Sequence, residues 1–144
     1  MVAKQLSVFI ENKKGRLEEV LNVLKENSVN IFSISLADTS DYGLLRLIVS
    51  DVELGKEKLK EAGFSSMINN ILAVKIEHKS GSLQGLLKIL SDDGINVEYM
   101  YGLSIVGKDA TIALKVSDFD KATAILLNKG VTILTYEEIL SSQD

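Results

Sequence analysis

The chain has 144 residues, enough for one ordinary domain or two small ones, and its shares of hydrophobic (46%) and charged (25%) residues are typical of a globular protein. The net charge of −4, without a basic run, argues against a nucleic-acid partner held through its phosphates. We expect a cytoplasmic protein without disulfides, because the sequence lacks a membrane-spanning apolar run, a secretory signal and cysteine.

The first predicted elements are a strand and an amphipathic helix, with Gly15 between them. Alternating apolar residues indicate a half-buried strand, and after the glycine the apolar residues recur with the spacing of one helix face. The helix is expected to stop near Asn27, since asparagine accepts the left-handed conformation that ends helices. The apolar positions are Leu6, Val8 and Ile10 in the strand and Leu17, Val20, Leu21 and Leu24 in the helix.

Two further strands, a weaker helix and a last strand complete the first half of the chain. They are predicted over 30–36, 43–49, 52–62 and 64–68, with Gly63 ending the helix. Both faces of the two middle strands are largely apolar, for example at Ile34 and Leu36 and at Leu44 and Ile48. Since only one face can meet the helices, we expect a second chain to cover the other, and so a homodimer.

The second half of the chain repeats the first. Nine residues recur without a gap at a constant offset, which then grows by one residue in a polar hairpin loop. The repeat predicts strands over 72–76, 96–105, 110–116 and 131–134, and helices over 83–90 and 119–128. The identical residues are Val8, Ile10, Glu11, Lys13, Gly15, Leu17, Leu21, Leu24 and Asn30, which recur as Val74, Ile76, Glu77, Lys79, Gly81, Leu83, Leu87, Leu90 and Asn96.

The predicted architecture is therefore βαββαβ twice, an α+β fold of two ferredoxin-like modules over residues 1–70 and 71–144. Right-handed crossovers place both helices of a module on one face of its four-stranded antiparallel sheet. No flexible linker separates the modules, so we expect their sheets to lie side by side, joined into one continuous sheet.

The loops ENKKGRL (11–17) and EHKSGSL (77–83) are the first candidate site. Each glycine allows a sharp turn, and the helix that follows begins with free N–H groups and a positive dipole end that attract a carboxylate. The alternative interpretation is that Gly15 and Gly81 only permit a tight turn, and duplication copies structural needs as faithfully as functional ones.

Other polar residues give weaker signals. The amides of Asn30 and Asn96 could face the loop at Asn12 or His78 and grip a ligand, or could simply stabilise a turn. His78 is the only histidine, which makes a metal site or a catalytic relay improbable, and no motif pairs a nucleophile with a base. We therefore expect no metal, no cofactor and no enzymatic activity.

With these loops, the leucine-rich helices and the V-N-I and I-N-V segments, the sequence resembles the ACT domain, a βαββαβ regulatory module. The likeness covers essentially the whole chain twice, as in small stand-alone proteins made of two ACT domains. It departs from the family pattern where Lys14 and Ser80 replace a common proline and where His78 replaces Asp or Asn. The first loop is thus nearer to the pattern, and the second site is the candidate for being altered or empty.

The resemblance implies binding of an amino acid or similar metabolite at the interface between paired ACT domains, by the loop before the first helix and the start of the second strand. Carried over to this chain, the ligand-binding residues are Asn12, Lys14, Gly15, Arg16, Leu17, Asn30 and Ile31 in the first module and His78, Gly81, Ser82, Leu83 and Asn96 in the second.

Three functional hypotheses follow. The leading one is a free-standing, non-catalytic sensor of an amino acid. The second is a regulatory subunit that docks on an amino-acid biosynthetic enzyme such as acetohydroxyacid synthase, which the apolar outer strands would favour. The third, an enzyme with chemistry at a shared interface, has no specific support in the sequence.

Overall fold

The computed structural model describes residues 2–38 and 41–141 and confirms the predicted order of elements. No helix in these two ranges is long and apolar enough to cross a membrane. The elements are β1 (Lys4–Glu11), α1 (Arg16–Glu26), β2 (Ile31–Asp38), β3 (Tyr42–Val49), α2 (Val52–Glu61), β4 (Ser65–Asn70), β5 (Leu72–Glu77), α3 (Ser82–Asp92), β6 (Val97–Val106), β7 (Asp109–Val116), α4 (Phe119–Asn128), β8 (Thr132–Ile133) and α5 (Tyr136–Ser141).

The strands form two four-stranded antiparallel sheets, in the orders β2-β3-β1-β4 and β6-β7-β5-β8. The identical order in both sheets is the structural counterpart of the sequence repeat. The hydrogen bonds thus define two sheets rather than one continuous sheet, which corrects that part of the sequence-based expectation.

Internal contacts divide the chain into two compact units. Lys4–Asn69 forms one, called the first module below, and Asn70–Asp144 together with Met1–Ala3 forms the other, called the second module. The first residues belong to the second module because the N–H of Ile71 donates to the carbonyl of Ala3 at 3.0 Å.

In the first module, the alternating residues of β1 point into a core under the helices. Helices α1 and α2 contact each other as well as β1, so both lie on the same face of the sheet. Gly55 lets α2 come close, since a Cβ there would lie 3.3 Å from Leu6 and 3.5 Å from Leu24. The buried apolar residues include Leu6, Val8, Val20, Leu24, Val29, Leu45, Leu47, Val49, Val52 and Leu59.

The opposite face of this sheet is more polar than the sequence suggested. Buried Gln5 donates to the hydroxyl of Ser7 at 3.1 Å, and this hydroxyl donates to Asn69 at 3.2 Å. Ile48 is already fully buried, so it needs no second chain to cover it. Exposed apolar residues lie on the edge strand β2, where Ile34 pairs with Leu47 on the helix side of the sheet, and also at Phe9 on β1 and Met67 on β4.

The second module repeats this plan with a shorter last strand. Helices α3 and α4 contact each other and pack on the sheet, again on one face. Strand β8 pairs with β5 only at Val74 and Lys75, which leaves the β5 edge at Ile76 and Glu77 without a β8 partner. The core consists of Leu72, Val74, Leu86, Leu90, Ile95, Leu114, Val116, Ala122 and Leu126.

The short helix α5 is an element that the sequence analysis missed. Its six residues begin with a capping box, in which the Thr135 hydroxyl accepts from the N–H of Glu138 and the Glu138 carboxylate accepts from the N–H of Thr135, both at 3.1 Å. Tyr136 and Ile139 are buried, which anchors the helix to the second module.

Candidate functional site

Both candidate loops turn at a glycine in the left-handed conformation. Gly15 has φ 88° and Gly81 has φ 87°, and each is the N-cap of the helix that follows. A Cβ added at either position would meet nothing within 4 Å, so backbone conformation and not lack of space requires the glycine. The turn interpretation of these glycines is therefore sufficient to explain them, and any binding role must rest on other groups.

The helices that follow the two loops differ from the other long helices in their caps. Helices α2 and α4 are capped by Asp51 and Asp118, whose carboxylates accept from backbone N–H groups at 3.1 Å. Helices α1 and α3 have no side-chain cap. The N–H groups of Arg16 and Ser82 donate to the carbonyls of Lys13 and Lys79, both at 3.2 Å, so it is the next N–H groups of each helix that are available to an anionic group from outside.

In the first module the helix start is crowded by its own charges. The Arg16 guanidinium lies 2.9 Å from Glu19, 3.5 Å from Glu11 and 5.2 Å from the ring centroid of Phe64. Lys13, 2.8 Å from Glu11, together with Arg16 holds the pKa of the Glu11 carboxyl below its ordinary value. The acidic residues in the first turn of α1 already occupy the positive end of the helix dipole, which disfavours an anionic ligand.

In the second module, smaller residues occupy the equivalent positions and leave a cavity. Ser82, Gly85 and Val131 stand where the first module has Arg16, Glu19 and Phe64, and the first turn of α3 has no acidic residue. The cavity measures about 350 Å³ and is called the loop cavity below. Its lining includes Glu77, Lys79, Ser82, Gly85, Gly130 and Val131.

The charges and the space at the two helix starts favour the second loop, whereas residue identity favours the first. The first loop is nearer to the family pattern in residue identity, but its own side chains supply the charges that a ligand would have to displace. In the second loop the ion pair of Glu77 and Lys79, at 3.0 Å, lies beside an open cavity. On physical grounds the second loop is the better cradle for an anion.

The structure separates the predicted site residues of the first module into two groups. Residues 12–17 follow the end of β1, which pairs with Tyr42, whereas Ile31 pairs with Val49 at the other end of β3. At ~3.3 Å per residue, the eight residues of β3 separate these two ends by about 23 Å. A single small ligand cannot contact both Asn12 and Asn30 of one module.

The same separation holds in the second module. The end of β5 pairs with Asp109, and the start of β6 pairs with Val116 at the other end of β7. His78 and Asn96 therefore lie at opposite ends of their sheet. One small ligand could contact a loop and an asparagine together only if they came from different copies of the module.

At both asparagine positions the backbone makes structural hydrogen bonds. The N–H of Asn30 donates to the Ser50 hydroxyl and the N–H of Ser50 donates to the Asn30 carbonyl, both at 2.9 Å. Asn96 and Ser117 make the same pair of bonds, at 3.0 and 2.9 Å. The sequence signal for these bonds is a Ser-Asp pair that occurs in both modules, as Ser50-Asp51 and Ser117-Asp118. The serine bonds the start of a strand, and the aspartate caps a helix.

The remaining predicted residues are divided between surface and core. Lys14 and His78 are exposed, and the N–H of His78 donates to the carbonyl of Lys108. Leu17 and Leu83 are half-buried, and Leu83 packs against the core cluster of the second module. Within the described ranges, no three His, Asp or Glu side chains converge as a metal site would require.

Comparison with known proteins identifies relatives over the whole chain. The profile of the family described as "ACT domain pair" matches residues 1–142. The crystal structure of protein BT0572 from Bacteroides thetaiotaomicron is 36% identical, covers 96% of both chains and has a TM-score of 0.91. No functionally curated protein matches the chain.

More distant structures share the fold. The regulatory subunit of aspartate kinase from Thermus thermophilus, in its ligand-free form, is 16% identical with a TM-score of 0.62 and covers 88% of this chain and 89% of its own. The regulatory subunit of aspartate kinase from Thermus flavus is 13% identical, also with a TM-score of 0.62, and covers 100% of this chain and 95% of its own. At these identities the likeness extends to the fold alone.

Proposed function

Because the chain belongs to the family of ACT domain pairs, we propose that it is a non-catalytic regulatory protein that senses an α-amino acid through the loop cavity. The start of α3 carries the proposal, since it combines N–H groups without a side-chain cap, a first turn free of acidic residues and a cavity of about 350 Å³. The aspartate kinase regulatory subunits that share the fold support a regulatory role.

The residues around the loop cavity suit the two charged groups of an amino acid. A carboxylate at the start of α3 would accept from the N–H groups of Leu83 and Gln84 and from the hydroxyl of Ser82. The ammonium group would then lie towards Glu77, whose present partner Lys79 is itself exposed. Gly85 and Gly130 leave room for the side chain of a ligand.

The same lining supports a sensor without catalysis. The ionisable residues among those that line the loop cavity are Lys75, Glu77 and Lys79. Glu77 and Lys79 are paired with each other, and neither forms a hydrogen bond with the hydroxyl of Ser82, the nucleophilic side chain in the same lining. A bound amino acid would thus be held rather than transformed.

A thermal-shift screen against the twenty amino acids tests the proposal, and at least one should raise the unfolding temperature. The double variant Ser82→Arg with Gly85→Glu copies the first module and fills the loop cavity. Since a Cβ at Gly85 meets nothing within 4 Å, this variant should fold and lose the ligand-induced shift. Ser91→Arg, in the last turn of α3 and outside the loop cavity, is the matched control and should retain it.

Two results would contradict the sensor hypothesis. One is a flat screen at millimolar concentrations of all twenty amino acids. The other is a ligand-induced shift that persists in the double variant at the size seen in the control. Turnover of any amino acid by the purified protein would contradict the non-catalytic part of the proposal.

A second candidate function rests on strand β2, where Ile31, Ile34 and Leu36 are 38%, 49% and 49% exposed. These apolar side chains would suit docking on a biosynthetic enzyme such as acetohydroxyacid synthase. Affinity purification from native extract would then recover that enzyme with the natural chain and lose it with Ile34→Lys. Recovery of the chain without any enzyme would remove this candidate.

A further inference from the structure

A second cavity lies on the face of the second module's sheet that is opposite to α3 and α4. It has a volume of about 300 Å³ and is called the α5 cavity below, because α5 forms one of its walls. The polar residues that line it are Lys75, Ser104 and Thr111 with Asp109 from the sheet, and Glu138 and Ser141 from α5.

The strand register explains why the sheet residues converge. Thr111 on β7 is the direct partner of Lys75 on β5 and of Ser104 on β6, so these three form one row across the sheet. Asp109 precedes Thr111 by two residues on the same strand and therefore shares its face. The neighbouring Val74 and Ile76 point to the other face and into the core.

The polar groups of this row have no partner within the described part of the chain. Thr111 is only 8% exposed, yet its hydroxyl makes no hydrogen bond with another described residue. Lys75 and Asp109 likewise form no ion pair among residues 2–38 and 41–141. The Thr111 hydroxyl therefore faces the cavity and can bond a polar guest there, beside the two unpaired charges of Lys75 and Asp109.

We propose that the α5 cavity binds a small zwitterion of the α-amino acid class, with its carboxylate at Lys75, its ammonium group at Asp109 and a hydrogen bond to the Thr111 hydroxyl. Opposite charges on two neighbouring strands match the two ends of a zwitterion. A volume of about 300 Å³ lies at the lower limit of ligand pockets, which suits a ligand of the size of an amino acid. Lys75 is part of the lining of both cavities, but the α5 cavity lies on the opposite face of the sheet from the loop cavity, and binding there does not depend on a ligand in the loop cavity.

Helix α5 would respond to a ligand in this cavity. Its Glu138 carboxylate is already engaged by the N–H of Thr135, so Glu138 is a positioning residue that holds the helix start beside the cavity. A bound molecule would contact the sheet and α5 together. Occupancy should therefore slow hydrogen exchange of the α5 amides, because the helix would gain contacts that it lacks in the free protein.

Calorimetric titration with each of the twenty free α-amino acids tests the proposal. At least one amino acid should bind. Two analogues of it, the amine that lacks the carboxylate and the carboxylic acid that lacks the ammonium group, should each bind at least tenfold more weakly. Thr111→Val removes the hydroxyl at nearly constant volume and should weaken binding about tenfold or more. Without ligand, this variant should unfold at the same or a higher temperature, which separates loss of binding from loss of folding.

Ser82→Ala distinguishes this site from the loop cavity, because Ser82 lines only the loop cavity and Thr111 only the α5 cavity. Binding that Thr111→Val weakens and Ser82→Ala leaves unchanged supports the proposal. Binding that responds only to Ser82→Ala overturns it and leaves the proposed function standing. Equal binding of the truncated amine, or unchanged exchange of the α5 amides at saturation, would also overturn it.

Discussion

Arg16 and Ser82 occupy equivalent positions and give two copies of one loop different surfaces. The Arg16 side chain reaches across the helix start to Glu19 and the Phe64 ring. The shorter side chain of Ser82 leaves a cavity at the equivalent place. The backbone of the two loops is nearly the same, as the φ angles of their glycines show. The difference between the two helix starts therefore lies in three side chains and not in the fold.

Glycines of the second module give a matched pair of stability predictions. Gly81→Ala should lower the free energy of unfolding by roughly 1–2 kcal/mol, because an alanine is strained at φ 87°. Gly85→Ala, inside α3 and with open space around its Cβ, should raise it by about 0.5–1 kcal/mol. Urea unfolding of both variants measures the difference, and equal effects would contradict the backbone explanation.

Glu11 gives a prediction about pH. Its pKa is lowered first by the hydrogen bond from Lys13, so the carboxyl stabilises the folded loop above its unfolded pKa. This contribution is lost as the pH falls through the lower, folded pKa. Titration followed by NMR should place the pKa of Glu11 below 4.5, and Lys13→Ala should raise it towards that value. An unchanged pKa in this variant would refute the pairing.

At the scale of elements, the repeat made the order of strands and helices predictable. Large aliphatic residues occupy every second position of β1 in the same way as in β5, so each copy supports the interpretation of the other. The residues are Leu6, Val8 and Ile10 in β1 and Leu72, Val74 and Ile76 in β5. Helix α5 escaped prediction because its two buried residues, Tyr136 and Ile139, are too few to establish a period, although Thr135 and Glu138 form a capping box.

The separation of Asn12 from Asn30 could also have been predicted from the order of elements. A right-handed strand, helix, strand connection makes the second strand parallel to the first, so its start lies at the opposite end of the sheet from the loop. The α5 cavity, in contrast, was beyond sequence reasoning. It depends on the register that sets Lys75 opposite Thr111 and on a helix that the sequence did not reveal.

Capping by aspartate is the prediction that belongs to the helices. Asp51→Ala and Asp118→Ala each remove a bond of 3.1 Å to a backbone N–H, and each should cost about 0.5–2 kcal/mol. Glu53→Ala, which removes an exposed charge from the same turn of α2 without removing a cap, should cost less. Comparable losses for Asp51→Ala and Glu53→Ala in urea unfolding would show that charge, and not capping, stabilises the helix start.

Across the whole molecule, the two copies have diverged in opposite directions. The first module fills its helix start with charge and exposes apolar residues on β2. The second module contains the loop cavity and the α5 cavity, and it adds α5. We expect ligand binding to be the task of the second module and association with another chain that of the first.

The edge strand β2 is the surface through which we expect a homodimer to form. Natural edge strands are usually protected by lysine, proline or bulges, but IFSISLAD contains neither of these residues, and its register is regular from Ser33 onwards. The equivalent edge strand of the second sheet, β6, shares the irregularity that β2 has at its start but has a second one near Gly102, which twists an edge away from pairing.

Light scattering at micromolar concentration should therefore give about twice the chain mass of 15.8 kDa. Ile34→Lys places a charge on the exposed side of β2 and should shift the protein towards the monomer. Because Ile34 is 49% exposed, this variant should lower the unfolding temperature no further than dissociation of the dimer explains. Leu127→Lys, which changes an exposed apolar residue on α4, should remain dimeric. A monomeric natural chain would refute the dimer, and a dimeric Ile34→Lys variant would move the interface away from β2.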